Sequence, residues 1–230
     1  DIFMMKFLAG GGIFLWAKSI GGIYSDGTCA VTTDSNEDIY FSGGFYDNID
    51  LDPNAGTANF SAGGAGNTYI LKLSWNGTFV WGTTLTGGYS NARAMDTDEN
   101  DDIYILGGYS LTTDFDPGAG TANHTSADNF DDIYLVKLDS DGLYQWSKSF
   151  GANSDDRGSS IDVISSDEFY IGGYYTNNID FNQTGSPVVL NAIGTIDNYI
   201  AKFGTCGLDL SVSLTGATLT ANATGATYQW

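Results

Sequence analysis

The sequence predicts an all-β fold in which several four-stranded antiparallel sheets stack on one another. Three observations support this prediction: a repeat of about 65 residues, short β-rich runs without a helical period, and 31 glycines among 230 residues. Residues that form a core are abundant, since 42% of the chain is hydrophobic and 14% is aromatic. This composition predicts a packed interior, which a disordered acidic tail lacks.

Five landmarks recur in one order and define the repeat. Lysines in similar β-rich runs stand 66, 65 and 65 residues apart: Lys6, Lys72, Lys137 and Lys202. Tryptophans follow at a constant spacing: Trp16, Trp81 and Trp146. An Asp-Ile-Tyr or Glu-Phe-Tyr run comes next, then a glycine pair, then an Asp-rich segment. We therefore place repeats at 1–66, 67–131 and 132–196, and the start of a fourth at 197–203.

Each repeat carries the pattern of four short strands. In the second repeat, the runs 69–73 and 79–81 flank the turn Asn76-Gly77, which is the pattern of a β-hairpin. Two further β-rich runs complete the unit. One four-stranded sheet buries little apolar surface alone, so each sheet must stack on its neighbours.

Radial stacking of such sheets gives a β-propeller, and the sequence predicts about three blades plus one further strand. Tandem β-sandwich modules are the alternative, but they use more strands and more residues per module. Because propellers take about four to eight blades, we expect this chain to be a fragment of a longer protein.

The opening run 4–17 resembles a signal peptide, because Lys6 precedes apolar residues. Three consecutive glycines interrupt that run and favour a strand, a turn and a second strand. We therefore place any signal peptide outside this fragment. No run approaches the roughly 20 apolar residues of a membrane-spanning helix.

The repeats resemble the bacterial SBBP-type β-propeller repeats. The matching elements are the strand Asp-x-(Phe/Tyr)-x-x-Lys-(Leu/Phe), the turn before Trp, and the closing Gly-Gly-(Tyr/Phe), over about residues 1–203. The resemblance implies a secreted or surface-exposed bacterial protein and supplies no catalytic residues. Residues 204–230 look like a junction and the first strands of an immunoglobulin-like module found in proteins secreted by the type IX route.

Charge and residue inventory limit the possible functions. The formal net charge of −20 argues against nucleic acid and anionic membranes as partners, because both require a basic surface. His124 lies in a polar stretch that predicts a solvated loop, and the chain has no nucleophile elbow, phosphate-binding loop or zinc motif. The sequence therefore predicts that the chain is not an enzyme and needs no cofactor, Ca²⁺ apart.

Calcium is the metal that the acidic pairs suggest. Carboxylates at i and i+2 of an extended segment face the same side, and hard oxygens suit Ca²⁺. The candidate ligands lie at the ends of the three repeats: Asp50, Asp52, Asp114, Asp116 and Asp180. The alternative is that these carboxylates cap turns. A second cluster, Asp96-x-Asp98-x-Asn100-x-Asp102, is interpreted as a strand-connecting turn that the other repeats do not reproduce.

Trp75 is the candidate ligand-binding residue, because it interrupts the tryptophan period and lies in a hairpin turn. The periodic tryptophans and tyrosines are predicted to pack between blades, and the periodic lysines to pair with neighbouring aspartates or lie at strand ends. We expect a secreted or cell-surface propeller that binds an extracellular glycan, polymer or protein. The alternatives are an accessory domain of a secreted hydrolase and a calcium-stiffened extracellular stalk.

Overall fold

The structure is a computed structural model that describes residues 1–181, 189–204, 212–215 and 218–221. It is all-β, as predicted, and the described residues contain no helix. Short, β-branched and aromatic-rich runs separated by Gly, Asn and Asp turns form antiparallel strands throughout. The prediction of β-strands at the start of the chain is confirmed, because β1 (Ile2–Leu8) pairs with β2 (Ile13–Ile20) as sheet one.

Three larger sheets follow sheet one along the chain. Sheet two has the order β3 (Gly27–Thr33), β4 (Ile39–Asp50), β5 (Asn59–Leu73) and β6 (Phe79–Thr84). Sheet three has the order β7 (Thr86–Thr97), β8 (Ile103–Asp114), β10 (Asp132–Leu138) and β11 (Tyr144–Phe150), and β9 (Asn123–Thr125) pairs with β8. Sheet four contains β12 (Arg157–Ser165), β13 (Glu168–Asp180) and β14 (Val189–Gly204).

The sheets and the sequence repeats are out of phase by half a unit. We call the strand that carries the periodic lysine of a repeat its lysine strand. Counted from the lysine strand, each repeat contributes its first two strands to one sheet and its last two strands to the next. For example, β5, which carries Lys72, is the first strand of the second repeat, but it lies in the same sheet as β3 and β4 of the first repeat. Neighbouring sheets are therefore joined by chain connections as well as by packing.

Apolar cores lie between successive sheets, as in a propeller. The core between sheets two and three contains Tyr40 and Ile70 from one side and Ile105 and Tyr134 from the other, all of them fully buried. Similar clusters join sheet one to sheet two and sheet three to sheet four. This burial of both faces explains why the apolar residues before Lys72 in β5 and before Lys137 in β10 are consecutive and do not alternate with polar ones.

The glycine pairs mark a close approach between the first two strands of sheets two, three and four. A Cβ atom on Gly43 would lie 1.9 Å from the carbonyl oxygen of Gly27, and one on Gly107 would lie 2.1 Å from that of Asn91. In sheet four the equivalent residue is Gly173, whose Cβ would lie 1.9 Å from the Arg157 oxygen. The third pair, Gly172-Gly173, is thus shifted by one position relative to the other two.

A residue with positive φ recurs where the second strand of sheets two, three and four bulges. The φ angles are 66° at Asp47, 64° at Leu111 and 64° at Asn177. Asp and Asn tolerate this left-handed conformation, whereas for other L-residues it costs roughly 1–2 kcal/mol. Leu111 is therefore the strained member of the set.

Replacing Leu111 with asparagine is expected to stabilise the protein by about 1 kcal/mol and to raise Tm by about 2–4 °C. The leucine side chain is 52% exposed, so its removal sacrifices little buried surface. Differential scanning calorimetry of Leu111→Asn measures the change. Leu111→Ala is the matched control, because it shortens the side chain but keeps the unfavourable φ. An equal gain in the alanine variant would contradict the backbone explanation.

The final hairpin consists of β15 (Val212–Thr215) and β16 (Thr218–Ala221), paired antiparallel. The rest of the predicted immunoglobulin-like module lies outside the described residues. Within the described part of the chain, no helix has the length and apolar character needed to cross a membrane.

Candidate interaction surface

At one end of sheets two and three, which we call the lysine end, a buried lysine contacts the turn between the first two strands of its sheet. In sheet two, Lys72 Nζ lies 3.0 Å from Asp34 Oδ2, 3.6 Å from Asp38 Oδ2 and 4.9 Å from the Tyr40 ring centre. In sheet three, Lys137 Nζ contacts its two aspartates and its tyrosine at 2.9, 2.9 and 4.9 Å. The predicted pairing of these lysines with aspartates is confirmed.

Each lysine meets a turn that its aspartate organises. Asp98 Oδ1 accepts the backbone N–H groups of Asn100 and Asp102, and Asp98 Oδ2 accepts the Tyr104 hydroxyl and the Lys137 ammonium. Asp34 makes the same bonds to its own turn. The cluster around Asp98 is thus a strand-connecting turn, as predicted. The prediction that no other repeat reproduces it is wrong, because Asp34-x-Asn36-x-Asp38 does.

The predicted calcium ligands lie at strand ends and in the loops that follow them, at the opposite end of the sheets, which we call the groove end. Asp50 Oδ1 accepts the backbone N–H groups of Asp52 and Ala58, and Asp52 Oδ1 accepts that of Asn54. The equivalent bonds in sheet three are made by two further carboxylates, Asp114 and Asp116. Asp180 is the last residue of β13.

These contacts match the turn-capping alternative, and calcium binding stays a prediction. Among residues 1–181 and 189–204, no group of three or more His, Cys, Asp or Glu side chains has the arrangement of a metal site. A rise in Tm with millimolar Ca²⁺, reversed by EDTA, is the measurement that would support calcium binding.

The periodic tryptophans pack at the junctions between sheets, as predicted. The Trp81 indole Nε1 donates to the Ser140 carbonyl oxygen at 3.1 Å, across the junction between sheets two and three. Trp16 and Trp146 pack against the other two cores. Trp75 is 58% exposed, and Lys6 Nζ lies 5.8 Å from its ring centre. The structure therefore places the candidate ligand-binding residue on the surface at the lysine end.

His124 differs from the sequence prediction of a solvated loop. It lies on β9, half-buried, with Nε2 2.8 Å from Ser147 Oγ and its ring 5.5 Å from that of Phe115. Burial lowers the pKa of His124. The side chain thus packs β9 onto β11.

The groove end of sheets two and three holds a tyrosine-lined groove, which we call the tyrosine groove. Its lining includes Tyr24, Ser25, Tyr46, Tyr89 and Asn91, in two adjoining cavities of about 450 and 180 Å³. Burial and a hydrogen bond with Tyr89 raise the pKa of Tyr46, yet that side chain stays 44% exposed. Tyrosines of this kind offer an apolar ring and a hydroxyl to a partner.

A glycine makes room for the two tyrosine rings. A Cβ atom on Gly66 would lie 2.8 Å from the Tyr46 ring and 2.9 Å from the Tyr89 ring. The two rings therefore converge above the Gly66 backbone, where any larger residue would displace them. Sequence reasoning missed this groove, because Tyr46 and Tyr89 belong to different repeats and only the packing of sheets two and three brings them together.

A second groove lies at the equivalent junction of sheets three and four. It has a volume of about 280 Å³ and is lined by Phe130, Asp155, Tyr174 and Ile196, with two hydroxyl residues. Phe130 and Ile196 are 56% and 58% exposed. Aromatic side chains are therefore presented to solvent at two neighbouring junctions on the same end of the sheets.

Two carboxylates close to this second groove, those of Asp132 and Asp156, are buried. Burial, followed by the charges of Asp156 and nearby acids, raises the pKa of Asp132 from 3.8 to about 7. Burial likewise raises the pKa of Asp156 to about 6. The folded chain therefore holds protons between about pH 4 and 7 that the unfolded chain has released, so these groups make the stability fall as pH rises through that range.

Asp132→Asn is expected to stabilise the protein by about 1–2 kcal/mol at pH 8 and to have little effect at pH 5. The equivalent residue of the preceding repeat is Asn67, also buried, which shows that an amide fits this place. Urea unfolding at both pH values measures the difference. Asp141→Asn removes the same charge from an exposed turn and is the control. Equal gains in both variants at pH 8 would show that net charge alone is responsible.

Comparisons with known proteins support a propeller-like repeat protein. No protein-family model matches the chain. The chain is 24% identical over 231 aligned positions to an uncharacterized WD repeat-containing protein, L264, of Acanthamoeba polyphaga mimivirus. The match covers 88% of this chain and 16% of that relative, so the chain spans about one sixth of the relative's length.

Proposed function

We propose that the chain is a non-catalytic recognition module that binds a protein partner through the groove end of its sheets. The observation that carries this proposal is the pair of aromatic grooves at successive sheet junctions. The tyrosine groove combines Tyr with Ser, Gly and Asn. In binding surfaces, Tyr supplies rigid contact area, and Ser, Gly and Asn supply adaptable hydrogen bonds. Similarity to a WD repeat-containing protein supports a scaffold of this kind.

The test is a selection of peptides that bind the immobilised chain, followed by hydrogen-exchange mapping of the bound complex. We expect protection around Tyr46 and Tyr89, and at least tenfold weaker binding by Tyr46→Ser, because exposed tyrosines contribute strongly to interfaces. Leu143→Ser is the control, since Leu143 is 60% exposed in a turn at the lysine end. Binding that depends on Leu143 and tolerates Tyr46→Ser would overturn the proposal.

Glycan binding at the lysine end is a second candidate, favoured by the exposed Trp75 indole. A flat exposed ring can stack on a sugar. A glycan array probed with the chain and with Trp75→Ala tests it. Loss of array signal in the variant would support glycan recognition, and an array without signal would eliminate it.

We further propose that the module belongs to a secreted or cell-surface protein of the SBBP-repeat kind. Support comes from the repeat pattern around Lys72 and Lys137 and from the net charge of −20. The immunoglobulin-like tail and the type IX route are part of the same proposal. Fractionation of cells expressing the natural gene, with detection by antibody, tests the location directly.

A further inference from the structure

Sheet one differs from the other sheets in the exposure of its lysine strand. Phe3 and Met5 on β1 are 74% and 61% exposed. The residues at the same positions of β5 and β10, counted from the lysine, are fully buried: Tyr69, Leu71, Tyr134 and Val136. The apolar character of these positions is thus kept in β1, although solvent reaches them there.

The difference in exposure follows from strand pairing. In sheets two, three and four, one edge of the lysine strand pairs with the second strand of the sheet, which is β4, β8 or β13. Among the described residues, β1 pairs only with β2. Its other edge borders a cavity of about 640 Å³ lined by Phe3, Met5, Val31 and Phe41. An exposed apolar strand edge is a template for pairing with another strand.

Lys6 also lacks the contacts that the corresponding lysines of sheets two and three make. Each buried lysine of the other sheets, Lys72 and Lys137, pairs with two aspartates of one acidic turn. Within the described part of the chain, no carboxylate lies within ion-pair distance of Lys6, whose ammonium donates to the Trp75 carbonyl oxygen at 2.9 Å. The site therefore has the cation, the apolar strand and the open edge, but not the acidic turn.

We propose that β1 and the adjoining cavity bind a β-hairpin of the type formed by β3 and β4, whose acidic turn reaches Lys6. The hairpin would add its second strand to β1 through backbone hydrogen bonds and place its apolar side chains against Phe3 and Met5. Its chemistry is that of a polypeptide with the turn Asp-x-Asn-x-Asp followed by Ile-Tyr.

A folded second copy of this chain does not fit this site as well. Its two acidic turns of this type, at Asp34 and Asp98, already bind Lys72 and Lys137. A second copy would have to open one of its own sheets to release a turn. This proposal concerns an edge of sheet one and does not depend on the proposed function of the groove end.

The test uses the full chain and a synthetic peptide with the sequence of residues 91–109, which contains an acidic turn and the adjoining parts of β7 and β8. Titration calorimetry is expected to give a Kd on the order of 10 µM. Hydrogen exchange is expected to show new protection at β1. A control peptide with asparagine at both aspartates, Asp98→Asn and Asp102→Asn, is expected to bind at least tenfold more weakly.

Lys6→Met in the full chain isolates the charge contact. This variant is expected to bind the acidic peptide at least tenfold more weakly than the natural chain does, and to bind the acidic and control peptides equally. Lys18→Met, which changes a half-buried lysine of β2, is the matched control and should keep the preference for the acidic peptide. Absent protection at β1, or a preference that survives Lys6→Met, would overturn the proposal. So would a concentration-dependent dimer that Phe3→Asp dissociates, because a second copy would then occupy the edge.

Discussion

Lys137→Met is expected to lower the free energy of unfolding by about 3 kcal/mol, because it leaves buried carboxylates without their cation. Lys137 Nζ lies 2.9 Å from Asp98 Oδ2, and the Asp98 side chain is fully buried. Burial opposes the charge of Lys137, but the carboxylates of Asp102 and Asp98 hold its pKa above the ordinary value. Urea unfolding monitored by tryptophan fluorescence measures the loss.

Lys202→Met is the matched control for this prediction. Lys202 holds the same place in sheet four and contacts Glu168 at 2.9 Å, but the two side chains are 42% and 40% exposed. An ion pair this exposed contributes little to stability, because solvent and salt screen its charges. Equal losses in the two variants would show that burial is not decisive. Adding Asp98→Asn to Lys137→Met should recover part of the stability, because the buried charge is then removed.

Gly107→Ala is expected to destabilise the protein by at least about 2–3 kcal/mol. The added methyl group would lie 2.1 Å from the Asn91 carbonyl oxygen and 2.8 Å from the Tyr134 ring, so β7 and β8 would have to separate. Thermal unfolding followed by circular dichroism measures the loss of Tm.

Gly27→Ala is the control, because a Cβ atom there meets nothing within 4 Å. We expect its stability to stay within about 0.5 kcal/mol of the natural chain. An insoluble Gly107→Ala chain beside a soluble Gly27→Ala chain would also agree with the prediction. Similar stability of the two variants would mean that the strands can shift to accept the methyl group.

The local features of this protein could be predicted from the sequence because each depends on neighbours in the chain. The turn Asn76-Gly77 predicts the β5–β6 hairpin through its need for positive φ, and φ is 83° at Gly77. The fixed spacing of the lysines and tryptophans also predicts their recurring structural roles. A residue that recurs once per sheet meets the same surroundings each time, as Lys72 and Lys137 do.

The sequence was less informative where contacts join distant segments. The contact of His124 with Ser147 depends on how the loop after β8 folds onto β11, which no local pattern encodes. The shift of the third glycine pair is visible in the sequence, where Gly43, Gly107 and Gly173 each lie three residues after the repeat tyrosine, but only the approach of the Arg157 carbonyl gives its physical reason. The role of Asp34 as the counterpart of Asp98, by contrast, can be recognised in the sequence, because residues 33–40 and 97–104 share the pattern Thr-Asp-x-Asn-x-Asp-Ile-Tyr.

The sequence by itself determined the all-β class, the repeat and the strand-forming runs, because alternation, turn residues and periodic landmarks are properties of the chain. Tertiary structure decided which strands share a sheet, and so set the sheets half a unit out of phase with the repeat. It also decided that Tyr46 and Tyr89 share a groove and that Phe3 is exposed where Tyr69 is buried. The physical reason is that burial and convergence depend on the neighbouring sheet, which the local sequence does not specify.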